Sequence, residues 1–214
     1  MKKNFVVCIV TLLLTTLACS ASQIGQGFAQ QGSVLYQDNF SKVESGWGAL
    51  NSEVGVAGYN KASYHIYVKS PHVNLWAQPG QDFAQARIEA DVLTTSGPSE
   101  NRMGLICRMK DTFNFYYFVI SDDGYYGIGK VNDGKWSLLE TTEMRPSSAI
   151  LTGGQTNHLR ADCVDNLFAF YVNGTLVGTA ADKDFTSGDV GILAGSFDIP
   201  GVDVYFDNFV VYKP

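Results

Sequence analysis

The chain has 214 residues and a formal net charge of −6, which leaves room for one large domain rather than two ordinary ones. An acidic chain without a run of basic residues argues against nucleic acid or an anionic lipid surface as its partner. After the first residues, no apolar stretch reaches the length that spans a bilayer.

Residues 1–19 have the composition of an export signal. Two lysines precede an uncharged apolar run at 5–17, which is too short to cross a bilayer comfortably. The following residues, TLAC at 16–19, resemble the lipobox of bacterial lipoproteins, although Thr16 stands where Leu or Val is usual. We expect the thiol of Cys19 to carry the lipid anchor of an extracytoplasmic protein. An ordinary secretory cut nearby, or an uncleaved anchor, is the alternative.

Residues 20–33 are rich in Ser, Gln, Gly and Ala and carry no charge, which predicts a flexible spacer. From there to the end, at 34–214, short alternating runs and turn residues favour strands, and no segment has a helical period. We expect about twelve strands, at 33–37, 62–69, 84–93, 103–109, 114–121, 125–131, 135–140, 158–164, 167–172, 175–180, 190–194 and 202–212. This pattern predicts an all-β, two-sheet antiparallel sandwich.

Three dipeptides mark tight hairpins within this pattern. Asp-Gly stands at 123–124 and 133–134, and Asn-Gly at 173–174. These pairs adopt the positive φ angles that two-residue hairpin turns require. The strands on either side are therefore expected to be antiparallel neighbours.

Alternation also predicts which side chains face the interior. Cys107 and Cys163 both fall on the apolar side of their strands, whereas Arg108 falls on the opposite side. Two cysteines in an exported domain most simply form a disulfide, and two separate buried thiols are the alternative. The predicted inward residues of three strands are Ile88, Ala90, Val92, Leu105, Cys107, Met109, Leu159, Ala161 and Cys163.

Several motifs together resemble a known superfamily. They are YQDNF at 36–40, GW at 46–47, GLICR at 104–108, NFYYF at 114–118, DGYY at 123–126, YVNG at 171–174 and FDNF at 206–209. The chain is similar over 34–214 to the concanavalin A-like lectin/glucanase superfamily, and particularly to laminin-G-like and keto-disaccharide-hydrolase-like modules of exported bacterial proteins. The resemblance implies a curved jelly-roll sandwich. Lectins, glycosidases and protein-binding modules share this fold, so the fold alone does not choose a function.

Catalysis is not favoured by the residues. Retaining glucanases of the superfamily carry Glu-x-Asp-x-(x)-Glu along one strand, and their chemistry needs two carboxyl groups about 5–5.5 Å apart. This chain has Glu89 and Asp91, but the third carboxylate is absent. No Gly-x-Ser-x-Gly elbow or paired metal-binding histidines accompany its three histidines.

Binding is the better supported hypothesis. Aromatic residues make up 13% of the chain, more than a core of this size requires, and sugar rings stack on aromatic planes. Arg108 is the strongest polar candidate, and many of the tyrosines could equally fill the core. The candidate ligand contacts are Arg108, Tyr116, Tyr117, Tyr125, Trp136, Glu89, Asp91 and Arg160.

Calcium is the one metal that the resemblance implies. If the first and last strands pair, Asp38, Asp203 and Asp207 could lie close together and offer the oxygen ligands that calcium prefers. The same acids could instead accept hydrogen bonds from backbone amides at a sheet edge. No other cofactor is expected.

The sequence therefore predicts a lipid-anchored, non-catalytic module that presents a shallow concave face to carbohydrate or glycoconjugate outside the membrane. Membrane contact is expected only through the lipid. A protein-adhesion or structural module of the cell envelope is the alternative, and a glycoside-acting hydrolase is the third hypothesis.

Overall fold

The computed structural model describes residues 32–43 and 45–214. The expected leader at 1–19, with Cys19, and all but the last two residues of the expected spacer at 20–33 therefore lie outside the described residues. Within the described ranges the chain forms sixteen strands and no helix, which confirms the predicted all-β class. The strands are β1 (Val34–Asp38), β2 (Leu50–Asn51), β3 (Gly55–Asn60), β4 (Ser63–Val68), β5 (Asn74–Ala77), β6 (Ala86–Ser96), β7 (Asn101–Asp111), β8 (Asn114–Ile120), β9 (Tyr125–Asn132), β10 (Lys135–Leu138), β11 (Arg145–Pro146), β12 (Asn157–Val164), β13 (Leu167–Val172), β14 (Thr175–Ala181), β15 (Asp189–Ser196) and β16 (Val202–Tyr212). None of the described residues form a helix long and apolar enough to cross a membrane.

The strands form two antiparallel sheets. The larger has nine strands in the order β14-β13-β12-β6-β16-β4-β3-β2, with β1 pairing to the end of β16. The smaller has seven strands in the order β10-β9-β8-β7-β15-β5, with β11 pairing to β9. The pairing of β1 with β16 joins the first strand to the last, as the resemblance implied.

The main core lies between the two sheets and is built by alternation along the strands. Ile88, Ala90 and Val92 of β6 are at most 1% exposed, and the inward residues predicted for β12 are equally buried. Phe118 of the smaller sheet packs against Phe170 of the larger, with ring centroids 5.7 Å apart. Full burial of each such side chain contributes about 1.5–3 kcal/mol, so contacts of this kind hold the sheets together.

Four strands are absent from the sequence prediction, and each has a weak local signal. β2 and β11 have two residues each, which is too short for a period to be visible. β3 contains Gly55 and Gly58, and glycine disfavours strands. β5 has only four residues, and its two inward residues, Leu75 and Ala77, are too few to define an alternation.

Strand β7 departs from the predicted alternation after Cys107. Because Gly191 of β15 pairs with Ile106 and Asp189 pairs with Met109, two residues of β7 lie opposite one of β15. Arg108 is one of these two, and its φ of 52° marks a β-bulge. Met109 therefore packs on the outer side of the sheet, and Arg108 is buried. The predicted facing of both residues was wrong, because a bulge shifts the side-chain period by one.

A disulfide joins Cys107 of β7 to Cys163 of β12, which confirms the predicted pairing. It crosses the core from one sheet to the other and closes a loop with a sequence separation of 56 residues. In the chain-entropy model a loop of this length stabilises the folded state by about 4 kcal/mol. The disulfide is therefore a large contribution to the stability of the sandwich.

We expect the variant Cys107→Ala/Cys163→Ala to unfold at a melting temperature about 8–16 °C below that of the parent. For a domain of this size, each 1 kcal/mol lost lowers the melting temperature by about 2–4 °C, and the loss is about 4 kcal/mol. Thermal unfolding followed by circular dichroism measures the difference. Reduction of the parent with dithiothreitol serves as the control and is expected to give the same shift. An unchanged melting temperature after verified reduction would contradict this role.

Candidate functional site

An open groove lies on the outer face of the seven-stranded sheet. It has a volume of about 590 Å³. Alternation in β8 directs Tyr117 and Val119 outward to line it, while Tyr116 and Phe118 fill the core. Trp136 of β10 and Tyr125 at the start of β9 add two further rings, and we call this depression the aromatic groove. Its lining also includes Arg102 and Phe197, together with the exposed carboxylates Glu100, Asp123 and Glu143.

A second apolar cluster lies beneath and beside the groove, outside the main core. We call it the outer cluster, and Trp76, Trp136, Leu138 and Met144 pack against its buried members. The outer face of this sheet is therefore apolar, unlike the usual solvated face of an antiparallel sheet. The buried members of the outer cluster are Ile106, Met109, Phe115, Tyr117, Val119, Val131 and Leu193.

Contacts with neighbouring residues fix the rings of the groove. The centroid of Trp136 lies 4.9 Å from that of Tyr117 and 5.5 Å from that of Phe115. The hydroxyl of Tyr117 donates a hydrogen bond to the carbonyl of Ser137 at 3.0 Å, and burial raises the pKa of Tyr117 to about 12. Gly129 makes room for this ring, because a Cβ there would lie 2.2 Å from Cζ of Tyr117. The rings of Tyr117 and Trp136 are thus held in place, and Tyr117 is uncharged at neutral pH.

Arg102 contributes a positive charge to the groove. Its Cζ lies 4.0 Å from the centroid of Phe197 and 6.0 Å from that of Trp136, so the guanidinium stacks on aromatic surface. Nη1 donates a hydrogen bond to Oδ1 of Asn74 at 3.3 Å. Burial lowers the pKa of Arg102 from its ordinary value, yet an arginine remains protonated at neutral pH.

Another cleft, along β13 and β14, is larger, with a volume of about 750 Å³. Its lining consists mainly of small and aliphatic side chains, and its one aromatic residue, Phe168, is only 1% exposed. It therefore offers no exposed ring on which a ligand could stack. The aromatic groove is the better candidate site.

The eight predicted ligand contacts lie in three separate places. Tyr117, Tyr125 and Trp136 line the aromatic groove. Arg108 and Tyr116 are buried inside the molecule. The remaining three contacts lie on the outer face of the nine-stranded sheet, on the other side of the sandwich. These are Glu89, Asp91 and Arg160.

Arg108 does not reach an open surface. Nε donates to the carbonyl of Ala84 at 3.1 Å, and Nη1 donates to the carbonyl of Phe185 at 3.2 Å. Its Cζ also lies 5.6 Å from the ring centroid of Phe168. Because the bulge turns this side chain away from the outer face, it joins two loops to the sheet instead of meeting a ligand.

Tyr116 is buried and belongs to a hydrogen-bond network that runs from one edge of the core to the surface. Its hydroxyl donates to Oδ1 of Asp182 at 2.6 Å and accepts from the amide of Phe185 at 3.1 Å. Lys130 Nζ donates to Oδ2 of Asp182 at 2.6 Å and also to Asp184. The network holds the segment after β14 against the sheet, which is a structural role.

The outer face of the nine-stranded sheet, here the polar face, carries charges that neutralise one another. The ring of His158 places Nδ1 2.7 Å from Oδ1 of Asp91 and Nε2 3.5 Å from Oε2 of Glu89. Asn208 donates a further hydrogen bond to Oδ2 of Asp91 at 2.8 Å. Arg160 pairs with Asp162, and its Cζ lies 4.4 Å from the ring centroid of Tyr171. These side chains form ion pairs and hydrogen bonds with one another rather than line a groove.

The three predicted calcium ligands do not converge. Asp203 lies 2.7 Å from Nε2 of His65, and Asp207 accepts a hydrogen bond from the amide of Asn208. Asp207 lies four positions after Asp203 along extended chain, so their Cα atoms are about 13 Å apart. Asp38 accepts from the amide of Phe40 at 2.7 Å. Among residues 32–43 and 45–214, no group of three acidic, histidine or cysteine side chains is arranged to hold a metal.

Sequence reasoning missed Arg102 and Phe197. The predicted strand began at 103, whereas β7 begins at Asn101. Extending the predicted alternation by one residue would have placed Arg102 on the outer face with Ile106. Phe197 follows the end of β15 and has no periodic signal.

His158 provides a direct check of the polar face. The hydrogen bond with Glu89 raises its pKa to about 9, against the effect of burial and with help from Asp91. Because this value is above the usual 6.5 or so, the stabilisation is complete below about pH 6.5 and is lost as the pH rises through about 9. We expect a ring titration by NMR to give a midpoint near 9, and Asp91→Asn to lower it.

Asp203→Asn is the matched control, because it removes a carboxylate from the same face that contacts His65 instead. It is expected to leave the titration of His158 unchanged. A midpoint near 6.5 in the parent would contradict the described contacts.

No protein-family model matches the chain, and no curated protein matches its sequence. Solved structures do match. The carbohydrate binding module CBM66 from Bacillus subtilis is 18% identical, with a TM-score of 0.64 over 79% of this chain and 96% of that one. A Bacillus subtilis protein of unknown function with a galectin-like fold is 11% identical, with a TM-score of 0.61 over 86% and 97% of the two chains. The Bacillus licheniformis beta-glucanase is 12% identical, with a TM-score of 0.60 over 86% of this chain and all (100%) of that one.

At these identities the likeness concerns the architecture. The described residues form two antiparallel sheets and pair the first strand with the last. The match to these three structures agrees with that architecture. The chain therefore has the concanavalin A-like jelly-roll fold that the sequence resemblance implied.

Proposed function

We propose that this protein is an exported carbohydrate-binding module whose ligand lies in the aromatic groove. The observation that carries the proposal is the group of Tyr117, Tyr125 and Trp136 around one open depression. Apolar C–H faces of sugar rings stack on such aromatic planes, and sugar hydroxyls bond to polar groups at the edge. Arg102 and the three carboxylates of the groove supply those polar groups.

Rigidity of the aromatic surface supports binding. Tyr117 and Trp136 are held by the outer cluster and by the bond to Ser137, so little side-chain freedom remains to be lost when a ligand arrives. Tyr125, with 41% of its surface exposed, can close on a ligand from the rim. Two of the structures with the same fold have names that refer to carbohydrate, a carbohydrate binding module and a beta-glucanase.

Hydrolysis is the second candidate, because Glu100, Asp123 and Glu143 line the same groove. A glycosidase needs two carboxyl groups about 5–5.5 Å or about 6.5–9.5 Å apart across the scissile bond. These acids were not among the residues that the sequence indicated. Release of new reducing ends from a bound glycan is the measurement that separates hydrolysis from binding.

The groove proposal is tested by removing its rings. We expect Trp136→Ala and Tyr125→Ala each to weaken the binding of the best glycan on an array at least about tenfold, which corresponds to about 1.4 kcal/mol. Each array is probed with and without calcium, since a calcium requirement would separate a metal-dependent ligand site from the aromatic one.

Trp76→Ala is the matched control, because it removes the same ring from the outer cluster without lining the groove. Thermal unfolding confirms that each variant is folded, and Tyr125→Ala removes a side chain that is already 41% exposed. Glycan binding that is unchanged in both groove variants would rule out the proposed location.

Export and anchoring are proposed from residues 1–19 together with the disulfide. Disulfides persist in oxidising compartments outside the cytoplasm, and the TLAC motif at 16–19 would place a lipid on Cys19. Lipid and groove would then have separate tasks, one to retain the protein and one to bind.

We expect the full chain, produced in a bacterial host, to incorporate labelled palmitate, and Cys19→Ser to abolish the label and release the protein from the membrane fraction. Cys8→Ser is the control within the same leader and is expected to remain labelled. Unlabelled protein found free in the medium would favour an ordinary secretory cut.

A further inference from the structure

We propose that the aromatic groove selects an acidic sugar, and that the guanidinium of Arg102 binds the carboxylate of that sugar. The inference rests on the proposed carbohydrate function of the same groove and names the class of its ligand. It follows from the contacts that hold Arg102 and from the absence of a negatively charged partner for it among the described residues.

Arg102 has no charged partner among the described residues. No carboxylate of residues 32–43 or 45–214 lies within ion-pair distance of its guanidinium. Its one side-chain hydrogen bond is to the neutral amide of Asn74. By contrast, Arg87 and Arg160 both pair with Asp162 on the polar face. Unlike these two arginines, Arg102 keeps its cation available to a ligand in the groove.

Partial burial makes this unpaired charge costly. Taking a cation out of water is unfavourable unless an opposite charge or hydrogen bonds compensate for it. The lowered pKa of Arg102 has burial as its main cause, in agreement with a charge that is desolvated without an ion-pair partner. A ligand carboxylate would supply the missing partner.

The orientation of the guanidinium suits such a ligand. Phe197 covers one face of the guanidinium at 4.0 Å, and Asn74 accepts from Nη1. Nε and Nη2 make no hydrogen bond to the described residues, so their N–H groups remain available. An arginine fork bonds both oxygens of a carboxylate in one plane, and a charge-assisted pair of this kind is stronger than a bond to a hydroxyl.

The carboxylates of the groove determine how an acidic sugar would be oriented. Glu100, Asp123 and Glu143 are exposed, so solvent screens them, whereas Arg102 is partly buried against two rings. An acidic sugar would therefore place its carboxylate on Arg102 and direct its hydroxyls toward the acids. Because the chain carries a net charge of −6, the attraction is local and does not extend to polyanions in general.

The test compares acidic sugars with neutral sugars of related structure. Binding of the purified protein is measured by calorimetry to 3′-sialyllactose and lactose, and to α-1,4-trigalacturonate and α-1,4-galactotriose. We expect the acidic member of at least one pair to bind at least about tenfold more tightly, the difference that an energy of about 1.4 kcal/mol produces. Arg102→Gln is expected to remove this preference, and Arg102→Lys to restore only part of it, because lysine keeps the charge without the fork.

Arg160→Gln is the matched control, because it removes the same charge from the opposite side of the sandwich. It is expected to leave the preference intact. Binding of 3′-sulfolactose is measured beside the sialylated sugar, and an equal gain for the sulfate ester would overturn the assignment to a carboxylate.

The remaining outcomes show which of the two proposals fails. Equal binding of acidic and neutral sugars, lost in Trp136→Ala, would overturn the selection by Arg102 and leave the carbohydrate function standing. A preference for acidic sugars that persists in Arg102→Gln would also overturn it. Absence of binding to every sugar of the panel and of the glycan array would contradict the carbohydrate function and the selection together.

Discussion

The structure depends on one constraint, which is that two sheets packed face to face bury alternate side chains of every central strand. The Cys107–Cys163 disulfide and aromatic contacts such as Phe118 with Phe170 hold the sheets in this arrangement. Once one set of side chains is committed to the interior, the other set must face outward, where it is free to carry function. The outer faces of the two sheets carry different kinds of side chain.

On the larger sheet the outward residues are charged and neutralise one another, as His158, Asp91 and Glu89 do. On the smaller sheet they are apolar and form the outer cluster, which supports the rings of the aromatic groove. Apolar side chains on both faces of one sheet mean that its second face needs a cover. Loops and the side chains of Trp136, Trp76 and Met144 provide part of it, and we infer that a ligand provides the rest. The position of Arg102 beside Phe197 and Trp136 is the basis of the proposed preference for a negatively charged ligand.

Periodicity predicted the parts of this arrangement that repeat. The all-β class, most strands, the inward residues of β6 and β12 and the disulfide follow from alternation and turn residues. The exceptions are local and physical. A single bulge at Arg108 reversed the facing of the residue that was the strongest polar candidate. The predicted strand start at 103 left out Arg102, which lies in β7 because that strand begins at Asn101. The predicted ligand contacts lie in different places because alternation gives the facing of a side chain but not the sheet to which its strand belongs. Glu89 and Trp136 were both predicted to contact the ligand, yet the whole core lies between them.

The three tryptophans allow the central claim to be tested in one titration. Each indole N–H gives its own NMR signal, and Trp136 lines the groove, Trp76 packs on the outer cluster, and Trp47 is buried with Nε1 donating to Tyr36 at 3.0 Å. When a glycan that binds the protein is added, the account predicts that the signal of Trp136 shifts most and that of Trp47 stays in place. A glycan that shifts the ring signals of Tyr171 and His158 on the polar face, and leaves Trp136 unchanged, would contradict it.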